Sequence, residues 1–283
     1  MEFSAPQKRF CVIGDPVSHS KSPLLQTALL AHLGVDAEYL CKPVTAEELP
    51  DFLEEVRRGA WQGFNATMPH KVPLLSLLDR LDSSAEEYGA VNTVCNRDGI
   101  LYGYNTDGPG FLRALADFGV SPAQKRITVL GAGGAAKAVT RALVKGGAAS
   151  ITLCNRTPER SLALAAGSSI MVTCGFSPSQ LARGMEGCDL LVNCTSLGMT
   201  GGPGNFETLD FLSHLPPHAA VCDLIYAPAE TPLLSAAKAG GHPTMNGLPL
   251  LLHQGILSLS HFLGVPLDPA ELLPLLQGVL SET

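Results

Sequence analysis

The chain reads as an α/β protein whose second half builds a doubly wound parallel sheet. Three observations predict this. From Arg126 to Gly241, short runs rich in Val, Ile and Leu alternate with segments of helical period, the pattern of strand–helix units on a parallel sheet. A glycine-rich turn, VLGAGGAA (129–136), joins one such run to the next helix. Hydrophobic residues make up 46% and charged residues 16% of the 283 positions, enough to fill a core and too apolar for disorder.

The elements follow in order. RFCVIGDP is a short strand running into a loop. In SPLLQTALLAHLG (22–34), Ser22 is the expected N-cap, Pro23 the first helical residue and Gly34 the stop. AEYLCKPV is a strand, and TAEELPDFLEEVRRG (45–59) a helix interrupted near Pro50. WQGFNATMP is a strand entering a turn, HKVPLLSLLDRLD (70–82) and SSAEEYG (83–89) are helical, and residues 90–107 form a hairpin turning at Asp98-Gly99. GPGFLRALADFG is a helix. The second half runs strand RITVLG, helix 134–147, strand SITLCNR, helix TPERSLALAA, a short strand near MVTCG, strand CDLLVNCT, strand AAVCDLIY and helix TPLLSAAKAGG. Helices in 247–283 lie beyond that alternation.

Net charge is −7, so no electrostatic footprint invites nucleic acid or an anionic membrane. Eight cysteines occur without a CxxC, which reads as reduced thiols in a cytoplasmic protein. The histidines show no zinc-ligand spacing with each other or with the cysteines, so no metal is expected. The leading MEFSAPQKRFCVIGDP has no signal-peptide pattern. GLPLLLHQGILSLSHFLGV (247–265) is long enough to span a bilayer, but His253, Gln254, Ser258, Ser260 and His261 make it a buried amphipathic helix instead.

The glycine-rich turn matches G-x-G-x-x-A through Gly131, Gly133 and Ala136. The first glycine permits the tight turn, the second lets a pyrophosphate approach the backbone, and the small third residue packs helix on strand. The helix N-terminus adds free N–H groups and a positive dipole. An ordinary structural turn is the alternative, and the flanking strands and helix favour a dinucleotide. About 20 residues on, an NAD site usually places a carboxylate at the next strand's tip. This chain has CNRTPER (154–160). Asn155, Arg156 and Thr157 offer a guanidinium fork and hydrogen bonds to a 2′-phosphate, which predicts NADP. A solvated arginine is the bland reading.

The first 110 residues carry further polar groups. GDPVSHSKSP puts Ser18, Ser20 and Ser22 in one loop, able to face a ligand or simply to cap a helix. GFNATMPHK sets Asn65 and Thr67 on one side of a strand, with Lys71 at an expected helix start. A cation is disfavoured there by the dipole, so the position suggests a task. GAVNTV and GYNTDGPG place Asn92, Asn105 and Asp107 at strand ends. Asp107 either caps the next helix or forms a proton-transfer pair with Lys71.

These motifs, with NCTSLGM, DLIYAPAETPLL and NGLPLLLHQG, stand in an order that resembles the shikimate dehydrogenase family from Gly14 to about Gln254. The resemblance implies two domains: an N-terminal α/β substrate and catalytic domain (1–106 plus 247–283), and a Rossmann-type doubly wound NADP domain (107–246), with C-terminal helices returning to the first. It implies NADPH-dependent reduction of 3-dehydroshikimate to shikimate, on the route to aromatic amino acids, by a monomer or homodimer. Lys71 and Asp107 would be catalytic. Ser20, Ser22, Asn65, Thr67, Lys71, Asn92, Asp107, Tyr226 and Gln254 would bind substrate. Gly131, Ala132, Gly133, Gly134, Ala135, Asn155, Arg156, Thr157, Arg160, Thr195, Met199, Leu224 and Gly247 would hold the cofactor. Ala66, Gln26-Thr27, Pro249 and Leu250 depart from the family pattern, and Leu250 bears on nicotinamide packing. An NAD-linked quinate/shikimate dehydrogenase and a catalytically silent shikimate binder are the alternatives.

Overall fold

The computed structural model describes residues 8–281. Residues 1–7, part of the leader read for a signal peptide, lie outside them. The chain divides into two compact units, Met1–Gly110 with Leu251–Thr283, and Phe111–Leu250.

The first unit contains β1 (Lys8–Gly14), α1 (Ser22–His32), β2 (Ala37–Pro43), α2 (Leu49–Arg57), β3 (Gly63–Ala66), α3 (Leu74–Leu77), β4 (Arg80–Leu81), α4 (Ser83–Tyr88), β5 (Thr93–Arg97) and β6 (Ile100–Tyr104). Their sheet has the order β2-β1-β3-β5-β6-β4. β1 pairs in parallel with β2 and β3, and β5 pairs antiparallel with both β3 and β6. The carboxyl ends of β1, β3 and β6 and the amino end of β5 therefore share one end of the sheet. The β5–β6 hairpin turns at Asp98 (φ 54°) and Gly99 (φ 86°), the two-residue turn that an Asp-Gly pair favours. Phe52, Trp61, Phe64, Leu74 and Leu101 fill the core beneath.

Three local expectations are corrected. Pro50 does not interrupt α2; it stands in its first turn, where a missing N–H costs nothing. Ser22 is not the N-cap. Lys21 holds that position without a side-chain bond, and the Ser22 N–H is met by Ser20 Oγ at 3.2 Å. Residues 70–82 are not one helix. Only Leu74–Leu77 is helical, and β4 then pairs with β6, so sheet pairing overrides local helix preference.

The second unit follows α5 (Asp107–Asp117), which begins in the first: β7 (Arg126–Leu130), α6 (Gly134–Lys145), β8 (Ser150–Cys154), α7 (Pro158–Ala165), β9 (Met171–Cys174), α8 (Pro178–Met185), β10 (Leu190–Asn193), β11 (Ala220–Asp223), α9 (Pro232–Ala239) and β12 (Thr244–Met245). All pairings are parallel, in the order β12-β11-β10-β7-β8-β9. This is the Rossmann order, and its direction of winding reverses between β7 and β10.

α10 (Leu248–Leu263) and α11 (Pro269–Ser281) complete the chain. From Leu251 onward they belong to the first unit. There Phe262 stacks on Phe10 at 4.8 Å and His261 on Tyr104 at 4.1 Å. Among the described residues no helix is long and apolar enough to cross a membrane.

Candidate functional site

In the first unit, the shared end of the sheet gathers most of the sequence-predicted polar residues. The loop after β1 carries Ser20 and Ser22. It runs beside the turn after β3, because Thr67 N–H donates to Ile13 O (2.9 Å) and Asp15 N–H to Met68 O (3.0 Å). Gly14 has to be glycine here, since a Cβ would lie 2.4 Å from Thr67 Cγ2. The turn bearing Lys71 is tied down twice more: buried His70 places Nε2 2.7 Å from Val44 O, and Val91 N–H donates to Lys71 O at 2.7 Å. Lys71 thus sits in a turn three residues before α3 and not at a helix start. The helix dipole expected to oppose its charge has no part at this position.

Lys71 Nζ donates to Asp107 Oδ2 at 2.6 Å. The other carboxylate oxygen, Oδ1, accepts from Asn92 Nδ2 at 2.9 Å. Side-chain exposure is 19% for Lys71 and 13% for Asp107, so the pair is shielded from bulk water yet open to a ligand. Asp107 opens α5 but does not cap it. That task falls to Asn105, whose Oδ1 accepts from Gly108 N–H at 3.1 Å. Gln254, on α10, lies 3.5 Å from Asn92 through Oε1. Asn65 is 7% exposed and committed inward: its Oδ1 accepts from Tyr39 (2.7 Å), and its Nδ2 faces Asn92 O (3.0 Å), Thr93 Oγ1 (3.0 Å) and Ser258 Oγ (2.9 Å). Tyr39, Thr93, Thr106 and Ser258 escaped the sequence reading; Thr106 was signalled by its place in the N-T-D motif, and Ser258 by standing one helical turn past Gln254.

In the second unit, the expected cofactor residues lie at or just beyond the carboxyl ends of the parallel strands. Gly131 (φ 102°) makes the turn after β7, and a Cβ there would lie 3.1 Å from Thr195 Cγ2 and 3.2 Å from the Cys194 carbonyl. Gly133 and Gly134 are different. Neither has a positive φ, and a Cβ on either meets nothing within 4 Å. Their small size serves no internal packing, which fits a cradle for a group the chain itself does not supply. Ala132 and Ala135 flank them, and Ala136 is buried where small size is needed. Asn155, after β8, turns its Nδ2 to Thr157 O (2.8 Å), and Arg156, Thr157 and Arg160 are exposed around it. Beside Asn155 and Arg156 lies a cavity of about 530 Å³ with Phe176, Leu197 and Phe206 in its wall.

Thr195 is held from below: its N–H (3.0 Å) and Oγ1 (2.7 Å) both donate to Asn193 Oδ1. Asn193 Nδ2 donates in turn to buried Asp223 (3.0 Å), which also accepts from Ile225 N–H (3.1 Å) and Thr231 Oγ1 (2.7 Å). Burial pushes the Asp223 carboxyl up to about 6 against those three donors. Leu224 and half-buried Tyr226 follow β11. Gly247 lies so close to Leu224 that a Cβ would fall 1.9 Å from its carbonyl oxygen. Met199 is 43% exposed. Among the described residues no group of three or more His, Cys, Asp or Glu is arranged to hold a metal ion.

Comparison with known proteins matches both units. Residues 12–94 fit the model of the shikimate dehydrogenase substrate binding domain, and residues 114–198 that of shikimate / quinate 5-dehydrogenase. The chain is 41% identical over 276 residues to a shikimate dehydrogenase (NADP(+)) of Geobacter metallireducens, covering 95% of this chain and 96% of that one. The crystal structure of shikimate 5-dehydrogenase from Thermus thermophilus in complex with NADP(H) and shikimate superposes with a TM-score of 0.83 at 37% identity, over 96% of this chain and 99% of that one. A shikimate 5-dehydrogenase from Listeria monocytogenes in complex with shikimate and NAD gives 0.84 at 30% identity, over 98% of each chain.

Proposed function

This chain belongs to the shikimate dehydrogenase family, and from that premise we infer that it reduces 3-dehydroshikimate reversibly to shikimate with NADPH. The observation that carries the reading is the Lys71–Asp107 pair, 2.6 Å apart and steadied by Asn92. NADPH, when bound, supplies the hydride for the C3 ketone. The chain supplies the rest. Lys71 directs N–H groups and positive charge at the ketone oxygen, so that charge developing there is met by a group already in place. The Lys71–Asp107 pair delivers the proton that turns the forming alkoxide into an alcohol. Asn92 keeps Asp107 turned toward Lys71.

Ser20 and Ser22 take the substrate carboxylate. Thr67, Asn92, Asp107 and Gln254 hold ring hydroxyls, Tyr226 stands near the substrate, and Asn65, committed inward, supports them from beneath. Gly131 to Ala135 cradle the pyrophosphate, with Thr195, Met199, Leu224 and Gly247 toward the nicotinamide. Arg156, with Asn155, Thr157 and Arg160, takes the 2′-phosphate, whose double charge suits a guanidinium fork. All eight cysteines are free thiols, which supports a reducing, cytoplasmic setting. Following NADPH absorbance with 3-dehydroshikimate tests the reading. Rapid oxidation is expected, with NADH and quinate far poorer. A preference for quinate with NAD would establish the alternative activity, and no turnover with either pair would leave only a binder.

A further inference from the structure

We infer that Ser258 is a positioning residue for the Lys71–Asp107 pair, acting through a closed circuit of buried hydrogen bonds that locks the Asn92 carboxamide. This rests on the reading of that pair as the proton-transfer group. Ser258 is wholly buried on α10. Its Oγ lies 2.8 Å from Thr93 Oγ1, 3.0 Å from Thr106 Oγ1 and 2.9 Å from Asn65 Nδ2.

The need for this hydroxyl follows from counting donors and acceptors. Asn92 Oδ1 has two lone pairs. Thr106 N–H takes one at 2.8 Å, while the hydroxyls of Thr93 (3.1 Å) and Thr106 (3.2 Å) both stand within reach of the other. One of these two protons has to go elsewhere; the two hydroxyls lie 3.4 Å apart, and Ser258 Oγ, at 2.8 Å and 3.0 Å from them, is the better-placed acceptor. The Thr93–Ser258–Thr106 circuit can run in either direction, and both directions leave Asn92 Oδ1 with two donors and the same partners for Asn92 Nδ2. Asn65, oriented by the Tyr39 phenol, gives one hydrogen to Asn92 O and one to Ser258. In one direction Thr106 donates to Ser258, Ser258 to Thr93, and Thr93 to Asn92 Oδ1. Asn92 Nδ2 is left with one hydrogen for Thr106 Oγ1 (2.9 Å) and one for Asp107 Oδ1 (2.9 Å).

Without Ser258 a buried hydroxyl loses its acceptor and competes for Asn92 Oδ1. The carboxamide then loses its single orientation, and Asp107 with it. Buried networks of this kind hold geometry only while every member is satisfied, and small misplacements of a catalytic group cost large factors in rate.

The test is Ser258→Ala in the full-length protein, assayed with NADPH and 3-dehydroshikimate. The expected result is a fall in kcat of about tenfold or more, a smaller change in substrate KM, and an NADPH dissociation constant within about twofold of wild type. Ser260→Ala, on the same helix but bonded to Val265 O, should keep wild-type kcat. Thr93→Val interrupts the same circuit, so the double variant should lose no more than the worse single one; this variant also carries the test if Ser258→Ala does not fold. An unchanged kcat in Ser258→Ala, or a loss matched by equal weakening of NADPH binding, overturns the inference while the activity stands. A wild-type protein that does not turn over the substrate overturns the reading beneath it.

Discussion

Replacing Asp223 by Asn should remove a pH dependence of stability whose size follows from the structure. The carboxyl is wholly buried and titrates near 6, against an ordinary value of 3.8. Between those two values the native state keeps a proton that the unfolded chain has released. Unfolding stability therefore falls as pH rises, by about 1.4 kcal/mol per unit for this one group. Its contribution is fully present below pH 3.8 and is lost as pH passes through 6. Over the 2.2-unit difference (6 minus 3.8) the loss is about 3 kcal/mol. Asparagine has the same shape. Its Oδ1 can still accept from Asn193 and Ile225, and its Nδ2 can donate to Thr231 Oγ1. The assay is urea unfolding of both proteins at several pH values from about 3.5 to about 7.5. The stability of Asp223→Asn relative to wild type should rise by about 3 kcal/mol across that window, nearly all of it below about pH 6.5. A difference that stays constant with pH would refute the reasoning, because then the carboxyl titrates alike in both states.

Arg156→Ala should weaken NADPH binding by roughly 10- to 100-fold, the loss of a charged hydrogen bond worth about 1.5–3 kcal/mol, and leave NADH binding almost unchanged; isothermal titration with both cofactors checks this. Gly133→Val and Gly247→Ala should fail in opposite ways. Gly133 has extended dihedrals and an open Cβ direction, so its variant should melt within a few degrees of wild type yet lose cofactor affinity. The Gly247 variant meets a backbone carbonyl at 1.9 Å and should show a large drop in melting temperature.

How much could be read from the chain alone varied with the range of the interaction that decides each feature. The turn at 129–136, the Asp98-Gly99 hairpin and the strand–helix alternation of the second half rest on local chemistry, and the structure bears them out. The apolar run at 70–82 looked helical because its neighbours in sequence suit a helix. What decides it is remote: Arg57 reaches Asp79 and the Leu77 carbonyl, and β4 joins β6. Two serines spaced S-x-S can each satisfy a helix N-terminus, and Ser20 rather than Ser22 supplies the hydroxyl. The approach of Lys71 to Asp107, 36 residues apart, was expected chiefly from family resemblance. Its physical cause is the β3–β5–β6 ladder, which brings three strand ends together. Ser258 carried little signal, because one serine among the polar residues of α10 acquires meaning only from the Asn65 carboxamide and the Thr93 and Thr106 hydroxyls it faces.

Catalysis here turns on whether the ammonium of Lys71 acts on the reacting oxygen. Steady-state kinetics of Lys71→Met with NADPH and 3-dehydroshikimate measures this most directly. The expected result is a kcat lower by about 10²–10⁴, or about 3–5 kcal/mol of barrier, with a much smaller change in KM. A kcat near the wild-type value would contradict it.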